Sequence, residues 1–235
     1  MMRTRSPWAT AVRVLAAAVA VLALMLGVGA LLIHQLVHGA VGRLDDSIER
    51  DLLAGRTSTW SSLTQAGTQL AEPLTVEVLL AVVVVGLALV GRRVLPPLFL
   101  AVTVILESAI YFTTSTLEPR PRPTIPRLGT GDPVASYPSG HVAASIAFYG
   151  GCAVLAWVCT DSTVLRAVTT GLAVVVPPLV GLCRMYRGFH HLSDVLAGAL
   201  LGGLWLALTT GLLLVPLSRR ARPAGRTGAA RLAAR

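Results

Sequence analysis

The sequence predicts an all-α integral membrane protein, a bundle of six transmembrane helices. Three observations carry that reading. Of 235 residues, 54% are hydrophobic and 13% charged, and the mean hydropathy is +0.71. A soluble domain carries about twice that charged fraction. Six apolar runs are long enough to cross a hydrocarbon core. The connections between them are too short to hold a second folded unit.

The elements follow in order. Residues 8–37 are apolar behind an Arg-bearing start, Met1 to Pro7. The run is long for the core of a signal peptide, so an uncleaved first span is expected. Residues 38–73 are polar, with Asp45, Asp46, Glu49 and Asp51 alternating with Arg43, Arg50 and Arg56; a surface helix and a turn are expected. The second apolar run is 74–91, closed by Arg92-Arg93, and the third extends from Leu95 to Thr114. Residues 115–138 carry Pro119, Pro121, Pro123, Pro126, Pro133 and Pro138, which exclude regular helix. A fourth span runs from Gly140 to Thr160, a fifth over 167–186 with Pro177-Pro178 inside it, and a sixth over 192–216. The two prolines predict a kink held by neighbouring helices. The tail, Ser218 to Arg235, is rich in Arg, Ala and Gly, a disordered composition.

Charge sets the orientation. Net charge is +9 and all 20 basic residues are Arg. No basic face alternates with stacking aromatics, so a nucleic-acid partner is not expected. Six spans place both ends on one side. With that side cytoplasmic, the inside segments hold Arg3, Arg5, Arg13, Arg92, Arg93, Arg166 and six tail arginines, opposed only by Asp161, whereas the outside segments hold eight Arg and eight acids. This is the positive-inside bias. It predicts a multi-pass plasma-membrane protein with both termini cytoplasmic. The three cysteines, Cys152, Cys159 and Cys183, form no metal or disulfide pattern.

Under that topology three polar pieces converge on the extracytoplasmic face. They are Arg120-Pro121-Arg122-Pro123, Pro138-Ser139-Gly140-His141, and Cys183-Arg184 followed by His190 and Asp194. Such groups are costly at a bilayer and mark function. Pro138-Ser139-Gly140-His141 lies where a proline-rich loop enters a helix, whose first turn offers free backbone N–H groups to an anion. Ser139 caps and donates, and Gly140 lets the backbone come close to a phosphate. His190 and Asp194 are four residues apart, a spacing that puts them on one face of a helix. The carboxylate would then fix the imidazole tautomer and leave the other nitrogen free to attack. Arg120, Arg122 and Arg184 suit bidentate phosphate contacts.

Together these pieces resemble the type 2 phosphatidic acid phosphatase family, which also holds bacterial undecaprenyl-diphosphate phosphatases and haloperoxidases. The resemblance covers roughly residues 75–215. It implies that His190 is the nucleophile of a phosphohistidine intermediate, Asp194 its orienting acid and His141 the proton donor to the leaving oxygen. Arg122, Arg184, Ser139 and the Gly140 amide would hold the phosphate oxygens. No metal and no cofactor are implied. Two positions depart from the pattern: Ser115 stands where the family has Lys, and Cys183 replaces a Ser. Arg120 is the candidate for the missing charge. The chain is thus expected to divide into residues 1–73, a first transmembrane helix with an extracytoplasmic amphipathic segment; 74–217, a phosphatase core of five transmembrane helices; and 218–235, a disordered Arg-rich cytoplasmic tail. The expected partners are membrane lipids and a lipid phosphate substrate, undecaprenyl diphosphate first and phosphatidic acid or another glycerolipid phosphate second. The alternative of another class is a non-catalytic lipid-phosphate binder or transporter.

Five further residues stand out. His191 points about 100° away from His190 around a helix and is expected at the rim. Arg187 faces either the anion or the headgroups. Glu107 lies deep in the third span and needs a partner there; a structural role is expected. Gly198 and Gly202 predict close helix packing.

Overall fold

The structure, a computed structural model, describes residues 6–91, 93–129 and 135–214. The Arg-rich tail therefore lies outside the described residues. The described residues are helical, without strands, and six of their helical stretches are long and apolar enough to cross a membrane. The helices are α1 (Pro7–His34), α2 (Ala40–Ala54), α3 (Ser58–Gln69), α4 (Pro73–Val90), α5 (Leu95–Leu117), α6 (Gly140–Ser145), α7 (Gly151–Cys159), α8 (Thr163–Tyr186) and α9 (Leu192–Thr209). A wide π-turn, Ile146–Gly150, joins α6 to α7, and another, Thr210–Leu214, follows α9.

The polar segment after α1 departs from expectation. It forms two helices, and the acidic face of the first is turned inward. Asp45 and Glu49, four residues apart on α2, are 2% and 4% exposed. The exposed face of α2 carries Arg43, Asp46 and Arg50 instead. α3 packs along α8 and leads into α4 after a break at residues 70–72. Pro73 causes the break, because it lacks the N–H that would continue the ladder and occupies the first turn of α4. The Leu70 carbonyl accepts from the Tyr149 hydroxyl at 2.8 Å.

The core is one apolar cluster running from Val14, Val21 and Met25 of α1 through Phe99, Leu100 and Val104 of α5 to Leu201 and Trp205 of α9. Outside it, Val82, Leu89, Ile105, Phe112, Val168 and Val174 are exposed, as suits a surface facing lipid tails. Polar groups also join the spans. The Trp205 indole donates to the Thr103 carbonyl at 2.9 Å, and the Thr103 hydroxyl donates to Thr209 at 3.0 Å. In a membrane such side-chain bonds hold helices together.

The close packing expected at Gly198 and Gly202 is found, between α9 and α6. A Cβ on Gly198 would lie 2.4 Å from the Ser139 carbonyl oxygen, and one on Gly202 would lie 2.7 Å from that of Ala143. The Ser139 amide also donates to the Asp194 carbonyl at 3.0 Å. Those contacts set the helix start at Ser139-Gly140-His141 against the start of α9.

Candidate active site

The turn between α8 and α9 is built on Gly188. Its φ of +75° lies in the left-handed region, which costs a glycine nothing. The chain reverses there, with Phe189 N–H donating to the Arg184 carbonyl at 3.0 Å. Arg56 locks the reversal from outside: its guanidinium donates to the Tyr186 carbonyl at 2.8 and 3.1 Å and to the Pro126 carbonyl at 2.6 Å. The Phe189 ring returns over Arg184, whose guanidinium carbon is 4.1 Å from the ring centre; that of Arg122 is 5.8 Å away. Arg122 also donates to the Phe189 carbonyl at 2.6 Å. One aromatic ring thus holds two cations that an oxyanion can bridge.

His190 follows and is 2% exposed. Its Nδ1 lies 2.7 Å from the Ser136 carbonyl. A carbonyl only accepts, so Nδ1 carries the proton and Nε2 presents a lone pair in the neutral ring. Burial first, then Arg184, Arg122 and His141, press the imidazole pKa well below its ordinary 6.5. At neutral pH the ring is therefore uncharged and its Nε2 is basic and nucleophilic.

His141 sits at the entry of α6, with Nε2 3.4 Å from Glu72 Oε2. The break before Pro73 puts Glu72 there, so this pairing was not legible in the sequence. Ser139 is fully buried, and its hydroxyl has no hydrogen-bond partner among the described residues; nor has the buried Arg184 Nε. Arg184 Nη1 reaches Thr68 at 3.4 Å. Unpartnered buried polar atoms need an explanation, and a bound oxyanion supplies one. Gly140 contributes differently from expectation. A Cβ there would lie 2.7 Å from the Tyr111 ring, so the glycine is required by that ring as much as by an anion.

Two expected placements are corrected. Asp194 does not bond to His190. His190 precedes the first residue of α9, so no helical face joins the two. The Asp194 carboxylate instead accepts from Arg120 at 2.6 Å, from the Ser136 hydroxyl, and from the His191 amide at 2.9 Å. It therefore holds Ser136, whose carbonyl in turn holds His190. Arg120 does not replace the missing family charge either. Its guanidinium lies between Asp194 and Asp45, 3.0 Å from the latter, and also donates to Ser193 at 2.7 Å. Two buried carboxylates neutralise it. Ser115 is buried too, its hydroxyl donating to the Phe112 carbonyl at 3.0 Å.

His191 and Arg187 also take structural partners. His191 meets Glu49 through Nδ1 and the Pro121 carbonyl through Nε2, at 3.2 Å for the latter. Burial works against its charged form, but the bond to Glu49 and the nearby Asp194 outweigh it and raise its pKa. Arg187 donates to the Ser61 carbonyl at 3.2 Å and to that of Leu128, so it faces neither anion nor headgroup. Among the described residues no group of three or more His, Cys, Asp or Glu stands together to hold a metal ion.

Comparison with known proteins bears on the family and the fold. The family model described as PAP2 superfamily matches residues 96–214. No curated protein matches the sequence. Two solved structures share the fold. The first transmembrane PAP2-type phosphatidylglycerolphosphate phosphatase from Bacillus subtilis superposes with a TM-score of 0.71 at 20% identity, covering 88% of this chain and 98% of that one. LpxE of Aquifex aeolicus gives 0.50 at 22% identity, covering 71% and 93%. At these identities the likeness is one of fold.

Proposed function

Because the chain belongs to the PAP2 superfamily, we propose that it is a membrane lipid phosphatase working through a phosphohistidine at His190. Nε2 of His190 attacks phosphorus, and the bond from phosphorus to the lipid oxygen breaks. His141 gives its proton to that leaving oxygen. Water then attacks the phosphohistidine, His141 takes a proton from it, the P–N bond breaks and inorganic phosphate leaves. Arg122, Arg184, the Ser139 hydroxyl and the Gly140 amide stabilise the equatorial oxygens electrostatically. Asp194 acts at one remove, through Ser136, and Glu72 orients His141. The observation that carries this reading is the His190 ring: buried, uncharged, tied by Nδ1 to a carbonyl, with two arginines and a second histidine around it.

The site takes a substrate whose phosphate lies at the membrane surface and whose tail lies in lipid. The positive-inside bias supports an extracytoplasmic position with cytoplasmic termini. Undecaprenyl diphosphate is the first substrate to test. A glycerolipid monophosphate is the second reading, favoured by the exposed Glu77 carboxylate lining the cavity beside His141, where a second phosphate would meet like charge.

The test is phosphate release by detergent-purified protein from both lipids, with and without His190→Ala. Release should fall to background in the variant. No release by folded wild-type protein would leave the anion site to a non-catalytic lipid-phosphate binder.

A further inference from the structure

A cavity of about 280 Å³ lies between α4, α5 and the start of α6, lined by Glu77, Glu107, Ser108, Tyr111, Gly140 and His141 among others. Glu107 is the unusual member. It is 1% exposed, one helical turn deeper than Tyr111 on a membrane span. Its Oε1 has no hydrogen-bond partner among the described residues, and its Oε2 is 3.5 Å from the Ser108 hydroxyl. A structural role would demand a partner, and the carboxyl has only that long contact. An apolar residue would fill the same place without the cost of a buried polar atom.

The cavity is also where a leaving group goes. In-line displacement puts the leaving oxygen opposite the attacking Nε2 of His190, which is the His141 side. The atoms beyond that oxygen then enter the space bounded by His141, Gly140, Tyr111 and Glu107. Resting on the phosphatase reading above, we propose that Glu107 determines specificity by accepting a hydrogen bond from a hydroxyl on the leaving lipid alcohol. The substrate class is a phosphate monoester of a lipid whose alcohol carries a free hydroxyl close to the ester oxygen. A bare prenyl chain leaves Oε1 unpaired. A diphosphate brings its second phosphate towards the exposed Glu77 carboxylate. A site that hydrogen-bonds a substrate hydroxyl discriminates strongly against the analogue lacking it.

The experiment uses the full-length protein in detergent micelles and three probes: phosphatidylglycerol phosphate, the same lipid with its free glycerol hydroxyl replaced by hydrogen, and undecaprenyl diphosphate. Wild-type kcat/KM should be at least about tenfold higher for the hydroxyl lipid than for the deoxy analogue. In Glu107→Leu that ratio should fall towards one, and Glu107→Gln, whose amide oxygen still accepts, should keep it. A wild-type ratio of one, or an unchanged ratio in Glu107→Leu, overturns the proposal. The wild-type comparison alone decides if the leucine variant fails to fold. Release from none of the three lipids would instead overturn the phosphatase reading, and the role of Glu107 with it.

Discussion

His190 and His191 are adjacent in sequence and opposite in electrostatics. His190 is buried beside Arg184, Arg122 and His141, all of which oppose its protonation. His191 is half-buried beside Glu49 and Asp194, which favour it. With one pKa lowered and the other raised, a pH near 6.5 should find His190 neutral and His191 charged. Nitrogen NMR of protein labelled at its five histidines, assigned by His190→Ala and His191→Ala, should show this order; His190 titrating above His191 would contradict the site geometry. Both imidazoles are visible in the sequence, but their partners are not. Arg120 meets Asp45 across a separation of 75 residues, and no local spacing encodes such a contact. For that reason Arg120 looks like a phosphate ligand in the sequence and is an internal counter-ion in the fold. Asp194 has the same explanation, because its carboxylate is claimed by Arg120, Ser136 and the first turn of its own helix.

α9 tests the packing argument within one helix. A methyl on Gly198 would meet the Ser139 carbonyl at 2.4 Å, whereas one on Gly203 meets nothing within 4 Å. Gly198→Ala must push α9 away from the helix start that carries Ser139, Gly140 and His141, at a cost of about 1–3 kcal/mol and with loss of turnover. Gly203→Ala should hold or raise the melting temperature, since alanine is favoured over glycine in a helix interior by roughly 0.5–1 kcal/mol. Thermal unfolding in detergent and phosphate release read both; equal effects would refute the close approach. The apolar runs revealed the helices because a bilayer demands length and hydropathy, and their bounds follow closely. The acidic face of α2 was not legible for a different reason. Polar residues read as exposed until a buried cation is there to receive them.

At the scale of the molecule, six spanning stretches place Arg127 and Asp161 on opposite faces. Both are exposed. In a chain with Cys152, Cys159 and Cys183 replaced by alanine, a membrane-impermeant maleimide should label Arg127→Cys in intact cells. It should label Asp161→Cys only after permeabilisation, and the reverse pattern would invert the topology. The proposed reaction shares that orientation, because Arg127 belongs to the loop that carries Arg122.

By itself the sequence determined the class of the protein, its six spanning stretches and the residue types of its candidate site. Hydropathy, proline placement and short motifs are local, and a membrane leaves little choice of secondary structure. Only the tertiary structure decided which charged groups are free for a ligand and which are spent on one another. It put Asp45 on Arg120, Glu72 beside His141, the Ser136 carbonyl on His190 and, in the cavity beyond, Glu107 with an Oε1 that has no partner among the described residues. Each of these depends on segments distant in sequence being packed together, and whether a buried charge binds substrate or a neighbour depends on which groups lie within about 3 Å of it.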